Sequence, residues 1–331
     1  MSQNQKIAQY LWYSNNIIIK LFLLPLLPLS VIYYFLFNLK KIISSEKSFQ
    51  PEIICVGNCS VGGDGKTSTM LSLINIYQSK NKKIAVLLKG YKGKIKLPTQ
   101  VNANDHSAID VGDEALLYVK QAKTFISDNR LAGINFIINN HSLDAILIDD
   151  GLQDFSIKKD KNILVINGNR GFGNGFLLPA GPLRQSPSSA IRIANIVIII
   201  GEDKNKIYDL YKPSNNEKLF LQAEIKCEKE NSNKNYFAFS GIGNNDGFIN
   251  TLNKNNYNVK KIRLFPDHYY YSKNDIENIK KEASENNLSI ITTEKDWKRL
   301  NLEQQEKITF LPISVEFSDL DTLNNALFLD D

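Results

Sequence analysis

Apolar residues along this chain fall into three recurring patterns. The first is a run near the start: residues 21–39 hold only two clearly polar side chains, Ser30 and Asn38. The second is a set of short apolar runs rich in Ile, Val and Leu, at 53–56, 84–88, 145–149, 163–166 and 196–200. Such runs read as parallel strands buried on both faces. The third is helical spacing between them, as in Met70, Leu73, Ile74 and Tyr77, which share one helix face. Strands alternating with helices predict an α/β sandwich around a mostly parallel sheet. A polar stretch at 228–235 interrupts the alternation and reads as a linker. A shorter βα series follows, with strands at 236–240, 261–265, 289–293 and 310–315 and a helix at 274–286. The pattern therefore divides the chain into an N-terminal membrane segment (1–48), a main α/β domain (49–228) and a smaller α/β domain (229–331).

As a helix, the run at 21–39 would reach about 28 Å, close to the hydrocarbon thickness of a bilayer. Pro25 and Pro28 would kink it, which lipid tolerates. Lys20 can snorkel at one end, and Tyr33 and Tyr34 are amphipathic anchors. No small-residue cleavage site follows, which argues against a removed signal peptide. Lys40, Lys41 and Lys47 follow the run and Lys6 precedes it, so the positive-inside rule puts the main body in the cytoplasm. A hairpin or interfacial helix, or a buried core helix, fits the same composition.

With 331 residues, 43% of them hydrophobic and 23% charged, the chain can fill real cores and is not a disordered one. The net charge of +5 is modest, and its lysines are scattered without an aromatic-interleaved basic patch, which speaks against a nucleic-acid partner. Nothing in the pattern points to an obligate protein partner. Three cysteines, Cys55, Cys59 and Cys227, form no disulfide framework and read as small packing residues in a reduced compartment.

The richest segment is Cys55-Val-Gly-Asn-Cys-Ser-Val-Gly-Gly-Asp-Gly-Lys-Thr-Ser-Thr69. It joins the strand at 53–56 to the helix that carries Met70. A glycine-rich turn between a strand and a helix N-terminus binds phosphate, because main-chain N–H groups point into the turn and the helix dipole adds positive charge. The cradle would comprise Ser60, Val61, Gly62, Gly63, Asp64, Gly65, Lys66, Thr67 and Ser68. Lys66 can reach the outer phosphates and Thr67 can hold magnesium. Ser60 stands where this P-loop pattern usually begins with glycine.

Other constellations carry weaker signals. The strand at 145–149 ends in Asp149-Asp150-Gly, which completes a nucleotide–Mg²⁺ site or simply starts a turn. Asp110-Val-Gly-Asp-Glu114 opens a helix carrying Ala115, Leu116, Val119 and Ala122, where acids cap routinely. Residues 167–186 form a long stretch with little secondary-structure signal, and Arg170 and Arg184 within it are candidates for pairing with phosphate or plain surface cations. His268 stands between Asp267 and Tyr269-Tyr-Tyr271; His106 and His141 gain no role from their neighbours.

Assembled in order, these motifs resemble the tetraacyldisaccharide 4'-kinase family, the lipid A 4'-kinases of Gram-negative bacteria. The P-loop resembles the family's Val-Gly-Gly-x-Gly-Lys-Thr form, and Lys89-Gly-Tyr-Lys-Gly93 is similar to its Arg-Gly-Tyr-Gly-Gly element. Val111-Gly-Asp-Glu114, Asp149-Asp-Gly-Leu-Gln153, Gly171-Phe-Gly-Asn-Gly175, Leu178-Pro-Ala-Gly-Pro-Leu-Arg184, Phe265-Pro-Asp-His268 and Thr293-Glu-Lys-Asp296 also look like family motifs. Three positions depart from them: Lys89 for arginine, Asp154 for histidine and Gln185 for glutamate.

The resemblance implies a two-domain P-loop kinase that transfers the γ-phosphate of ATP, with Mg²⁺, to the 4' hydroxyl of a lipid-embedded glucosamine disaccharide at the inner membrane. It implies that Asp113 takes the hydroxyl proton, that His268 pairs with it from the second domain, and that Arg184 stabilises the transferring phosphoryl group. Lys66 and Thr67 would hold phosphate and metal, with Asp149 and Asp150 completing the metal site. The rival reading is a membrane-associated ATPase of the partitioning or anion-pump kind. Those carry lysine just before the double glycine, where this chain has Val61, and lack a loop like 178–184.

Overall fold

The structure is a computed structural model that describes residues 8, 10–14, 16–229 and 233–328. Two sheets carry the chain. Among the described residues the larger has nine strands, in the order β13 (Ile313–Phe317), β8 (Leu219–Cys227), β7 (Ile196–Ile200), β6 (Lys161–Asn167), β1 (Glu52–Gly57), β5 (Ala145–Asp149), β2 (Ile84–Leu88), β4 (Lys123–Ile126) and β3 (Thr99–Gln100). The smaller has four, in the order β10 (Asn258–Leu264), β9 (Asn235–Ser240), β11 (Ser289–Thr293) and β12 (Ile308–Leu311). The central strands of the first are β1 (Glu52–Gly57), β2 (Ile84–Leu88), β5 (Ala145–Asp149), β6 (Lys161–Asn167) and β7 (Ile196–Ile200), which are the apolar runs read from the sequence. Every residue of β2, β5 and β7 is buried, so both sheet faces are covered and no solvent-facing alternation is left.

On β1, Ile54 and Val56 pack with Met70, Leu73, Ile74 and Tyr77 of the helix Lys66–Ser79, while Ile53 faces Ile134 and Ile137 of the helix Arg130–Asn140. Alternate side chains of one strand thus enter opposite layers, and the sandwich follows. The strand β1 lies between β5 and β6, parallel to both, with Val56 opposite Asp149. That register brings the turn after β1 and the acids after β5 to the same sheet edge, where ligands of such sheets bind.

The smaller sheet is entirely parallel, with β9 (Asn235–Ser240) flanked by β10 (Asn258–Leu264) and β11 (Ser289–Thr293). Its core gathers Phe237, Phe239, Phe265, Tyr271, Ile276 and Ile279, two of them from the helix Lys273–Glu285. The strand expected at 310–315 is two strands. Pro312 removes a ladder donor between β12 (Ile308–Leu311), which stays in the small sheet, and β13 (Ile313–Phe317), which runs antiparallel to β8 (Leu219–Cys227) of the large one. The boundary expected at 229–331 is therefore corrected at its far end: after β13, the helix Leu320–Phe328 buries Leu323 and Leu327 in the first core, with Phe328 edge-on to Tyr77 at 4.8 Å. An antiparallel ribbon, β8 with β13, joins the two lobes. The short strands β3 (Thr99–Gln100) and β4 (Lys123–Ile126), and β8 itself, carry too little periodicity to be read beforehand.

The N-terminal apolar helix runs Ile17–Ile43, is long and apolar enough to cross a membrane, and tightens into a 3₁₀ turn at Leu24–Leu26 around Pro25. Most of its apolar side chains are exposed. One expectation for it is corrected: Tyr33 is not a free interfacial anchor, because its hydroxyl donates to the Arg184 carbonyl at 3.0 Å.

Leu323 sits fully buried between the last helix and the first sheet. Leu323→Ala should lower the unfolding free energy by about 2–5 kcal/mol. Leu302→Ala, at a side chain 86% exposed, should stay within about 0.5 kcal/mol. Urea unfolding followed by circular dichroism measures both.

Candidate active site

The turn after β1 is shaped by glycine. Gly65 caps the helix Lys66–Ser79 at φ 92°, and a Cβ there would fall 2.5 Å from Ile200. Val61 N–H donates to the Pro182 carbonyl at 2.8 Å. Among the described residues, no main-chain carbonyl takes the N–H of Gly62, Gly63, Asp64 or Gly65, which leaves those donors free for an anion. Asp64 folds back inside the turn, where Asn58 and Ser60 both donate to its carboxylate. The Lys66 ammonium donates to Asn58 Oδ1 at 2.9 Å and lies 3.5 Å from Asp150. The Thr67 hydroxyl donates to Glu114 at 3.1 Å.

Residues 167–186 are irregular, as expected, and are stitched to the P-loop. Arg184 N–H donates to the Cys59 carbonyl at 2.7 Å, and Ser60 bridges Leu183. This sets the Arg184 guanidinium 2.8 Å from Asp150. One oxygen of Asp150 accepts from Arg184, and the other, 3.5 Å from the Lys66 ammonium, has no hydrogen-bond partner among the described residues, as at Asp149. Burial alone would raise its carboxyl, but those two cations hold it far below the usual carboxylate range. Arg170 stands beside the phosphate cradle, donating to Asn244 of the small lobe at 3.0 Å, where Asn244 abuts Gly63, and lying over the Tyr13 ring.

Asp149 behaves differently. It is buried, and Tyr118 donates to its Oδ2 at 2.9 Å, while Oδ1 has no hydrogen-bond partner among the described residues. Burial and the nearby charges of Glu114 and Asp150 push it up to about 7. An orphaned buried carboxylate oxygen beside a hydroxyl and a second carboxylate is the donor set of a hard divalent cation. Thr67, Asp149 and Glu114 thus fit magnesium. Among the described residues no group of three or more His, Cys, Asp or Glu is placed to hold a metal ion.

The single helix expected after Asp110 is two, Ala108–Val111 and Asp113–Tyr118, broken at Gly112. Gly112 has φ 86°, and a Cβ would lie 2.8 Å from the Tyr91 carbonyl. The Lys89–Gly93 element packs against this break, with Gly93 too close to the Asp110 carbonyl to carry a side chain. The break makes Asp113 the first residue of the second helix and turns its carboxylate toward the small lobe.

There it meets His268, whose Nδ1 lies 3.1 Å from Asp113 Oδ2. His268 sits at φ 55°, a conformation rare outside glycine and concentrated at functional sites, and its ring lies edge-on to Tyr91 at 5.2 Å. Sequence reasoning missed the other partner. Arg299 donates to Asp113 through Nε at 3.0 Å and also through Nη2, while its Nη1 holds Asp296 and the Gly241 carbonyl, each at 2.7 Å. Burial would raise the Asp113 carboxyl, but the Arg299 guanidinium overrides it and keeps the group well below its ordinary value. Lys295 likewise donates to Glu114 at 2.7 Å. The helix Glu294–Arg299 of the small lobe therefore grips both acids of the large one.

The positions that depart from the family pattern have structural partners. Asp154 lies 3.4 Å from Arg130, whose Nη2 also caps the Asp149 and Asp150 carbonyls, and Ser156 donates to it at 2.6 Å. Gln185 is buried and accepts from Gln153 at 3.3 Å. Lys89 is lowered by burial and by the Arg130 charge. Cys55 and Cys59 are buried, and burial pushes their thiols up to about 11 and about 12. They are inert packing groups.

The model for the family described as Tetraacyldisaccharide-1-P 4'-kinase matches residues 22–329. The chain is 37% identical over 317 residues to the tetraacyldisaccharide 4'-kinase of Rickettsia akari (strain Hartford), covering 96% of this chain and 95% of that one. Against the enzyme of the same name from Rickettsia canadensis (strain McKiel) it is 37% identical over 318 residues, with the same coverage. Among solved structures it resembles LpxK from Aquifex aeolicus, an "apo" form crystallised in complex with ATP, with a TM-score of 0.75 at 27% identity over 92% of this chain and 98% of that one. The span matched by the family model takes in both lobes and the apolar helix from residue 22 onward. The chain belongs to the tetraacyldisaccharide-1-phosphate 4'-kinase family.

Proposed function

We propose that this chain transfers the γ-phosphate of ATP to the 4' hydroxyl of a tetraacylated glucosamine disaccharide 1-phosphate, and does so at the cytoplasmic face of a bacterial inner membrane. The observation that carries the reading is the meeting of Asp113 and His268 from different lobes, beside a P-loop, in a chain that matches the family over nearly its whole length. The exposed apolar helix Ile17–Ile43, followed by Lys47, supports the membrane assignment.

Phosphoryl transfer asks for positioning and charge neutralisation more than for covalent chemistry. The free N–H groups from Gly62 to Gly65 would cradle phosphate oxygens, and Lys66 would swing from Asp150 to the outer phosphates. Arg184, already beside Asp150, would follow the charge onto the transferring group. Thr67, Asp149 and Glu114 would hold magnesium, which when bound neutralises charge on the β- and γ-oxygens.

Asp113 is a weak base, because Arg299 stabilises its ionised form. That suffices for a loose transition state, in which the hydroxyl proton leaves late and the carboxylate chiefly aims the nucleophile. His268, fixed by its backbone and by Tyr91, holds the carboxylate in line. The ATPase reading loses support from Val61, where that class has lysine, and from the loop 178–184, which it lacks.

An assay with ATP and the acylated disaccharide 1-phosphate should yield a bisphosphorylated glycolipid. Hydrolysis of ATP without that product would instead favour the ATPase reading. Lys66→Ala should abolish product formation. Asp113→Ala should lower turnover about 10²–10⁴-fold and leave ATP affinity within about twofold by fluorescence titration. Unchanged turnover in that variant would remove Asp113 from the base role.

A further inference from the structure

Along the apolar helix, Ser30, Tyr33, Phe37 and Lys40 recur at spacings that place them on one face. Each of the four touches the catalytic body. Ser30 Oγ donates to the Leu177 carbonyl at 2.8 Å and accepts from Ala180 N–H at 3.2 Å. Tyr33 donates to the Arg184 carbonyl at 3.0 Å. The Phe37 ring stands edge-on to Phe155 at 5.4 Å, and Lys40 donates to the Gln153 carbonyl at 3.2 Å. Ser30 is the one buried residue of the stretch Leu27–Ile43. On the other faces Leu29, Ile32, Phe35, Leu36, Leu39 and Ile42 are exposed.

An anchor needs only apolar area. Polar groups on a lipid-bound helix cost free energy, so they persist where protein partners satisfy them. The partners here are the two segments that bring charge to the phosphates. The segment 177–184 ends in Arg184, whose N–H is tied to the P-loop and whose guanidinium holds Asp150. The other segment is the turn after Asp149, where the Gln153 side chain donates to the Asn58 carbonyl at 2.8 Å and the Asn58 side chain accepts from Lys66. From the preceding stretch, Trp12 Nε1 adds a bond to the Pro179 carbonyl at 3.1 Å.

We propose that the N-terminal helix is a positioning element of the site as well as its anchor, with Ser30 and Tyr33 as positioning residues that seat the loop carrying Arg184. This rests on the kinase reading above. Its consequence is that the lipid-facing and body-facing sides of one helix do separable work. Side chains toward lipid set how much protein is on the membrane, and Ser30 and Tyr33 set how fast membrane-bound protein turns over.

The test uses the full chain on phosphatidylethanolamine–phosphatidylglycerol vesicles carrying the acylated disaccharide 1-phosphate. Three quantities are measured: vesicle partition, kcat and KM, and hydrogen exchange of the Ala180, Gly181, Leu183 and Arg184 amides. The double variant Ser30→Ala/Tyr33→Phe should lower kcat about tenfold, with partition and KM for ATP within about twofold and faster exchange at 180–184. Ser30→Thr, which keeps the hydroxyl, should restore most of the serine's share. Ile32→Asn/Leu36→Asn should do the reverse, lowering partition while kcat at saturating lipid is kept. Unchanged kcat and unchanged exchange in the double variant would make the helix an anchor alone, and so would losses of kcat and partition in strict parallel. If the unmutated chain makes no bisphosphorylated lipid, the kinase reading fails by itself. The exchange data then still decide whether the helix seats the loop.

Discussion

One carboxylate organises the phosphate end of this molecule. Asp150 lies between Arg184, at 2.8 Å, and Lys66, at 3.5 Å, and both cations pull it deep into its ionised form. This acid keeps two partly buried cations compensated, where unpaired they would be costly. A triphosphate carries more negative charge than one carboxylate, and its oxygens can span both cations at once. On the proposed reading, binding would exchange partners within a preformed array, and the two waiting cations would offset part of the cost of stripping water from the triphosphate. The arrangement depends on the register of β1 with β5, which sets the P-loop and Asp150 side by side.

A second exchange is built across the lobes. The helix Glu294–Arg299 inserts Arg299 onto Asp113 and Lys295 onto Glu114, and Glu114 in turn takes the hydroxyl of Thr67. The small lobe thus contacts Asp113 and, through Glu114, the Thr67 hydroxyl of the P-loop. Asp296 braces Arg299 from behind, itself held by Tyr271, Thr293 and the Gly241 N–H. These ion pairs join other contacts between the lobes, such as Arg170 with Asn244 and Lys120 with Glu294. The same helix thus places charged groups against both acids while His268 meets Asp113.

Much of this was legible in the sequence because its signals are local. Unbroken apolar runs gave the buried strands, and glycine spacing beside a strand and a helix gave the phosphate turn. The ordered motifs named Asp113, His268 and Arg184, and the geometry brings the first two together and seats the third beside Asp150. What was illegible is non-local. Arg299 lies in a polar helix whose sequence shows nothing of the acid 186 positions away. Glu114 looked like an ordinary helix-start acid until Thr67 and Lys295 were seen to converge on it. The return of β13 to the large sheet was hidden because Pro312 sits inside what reads as one apolar run. The apolar helix was visible by composition, but its contact face was not, since Ser30 and Tyr33 look like exceptions in a lipid-facing segment.

Those exceptions bear on how an enzyme of this family reaches its substrate. Drawing a multiply acylated lipid out of a bilayer costs about 0.8 kcal/mol for every CH₂ exposed. The acceptor sugar must therefore be met at the surface, within the few ångströms that separate the headgroup from the hydrocarbon. A free-standing helix on a flexible tether would meet it at a variable height. A helix fastened along its length by Ser30, Tyr33, Phe37 and Lys40 fixes the height of the P-loop relative to its own apolar face. On the proposed reading, the depth at which exposed side chains such as Leu36 and Ile42 settle in lipid would set the distance from Arg184 to the sugar plane. For a reaction that depends on alignment more than on covalent help, that registration would itself be part of the catalytic apparatus.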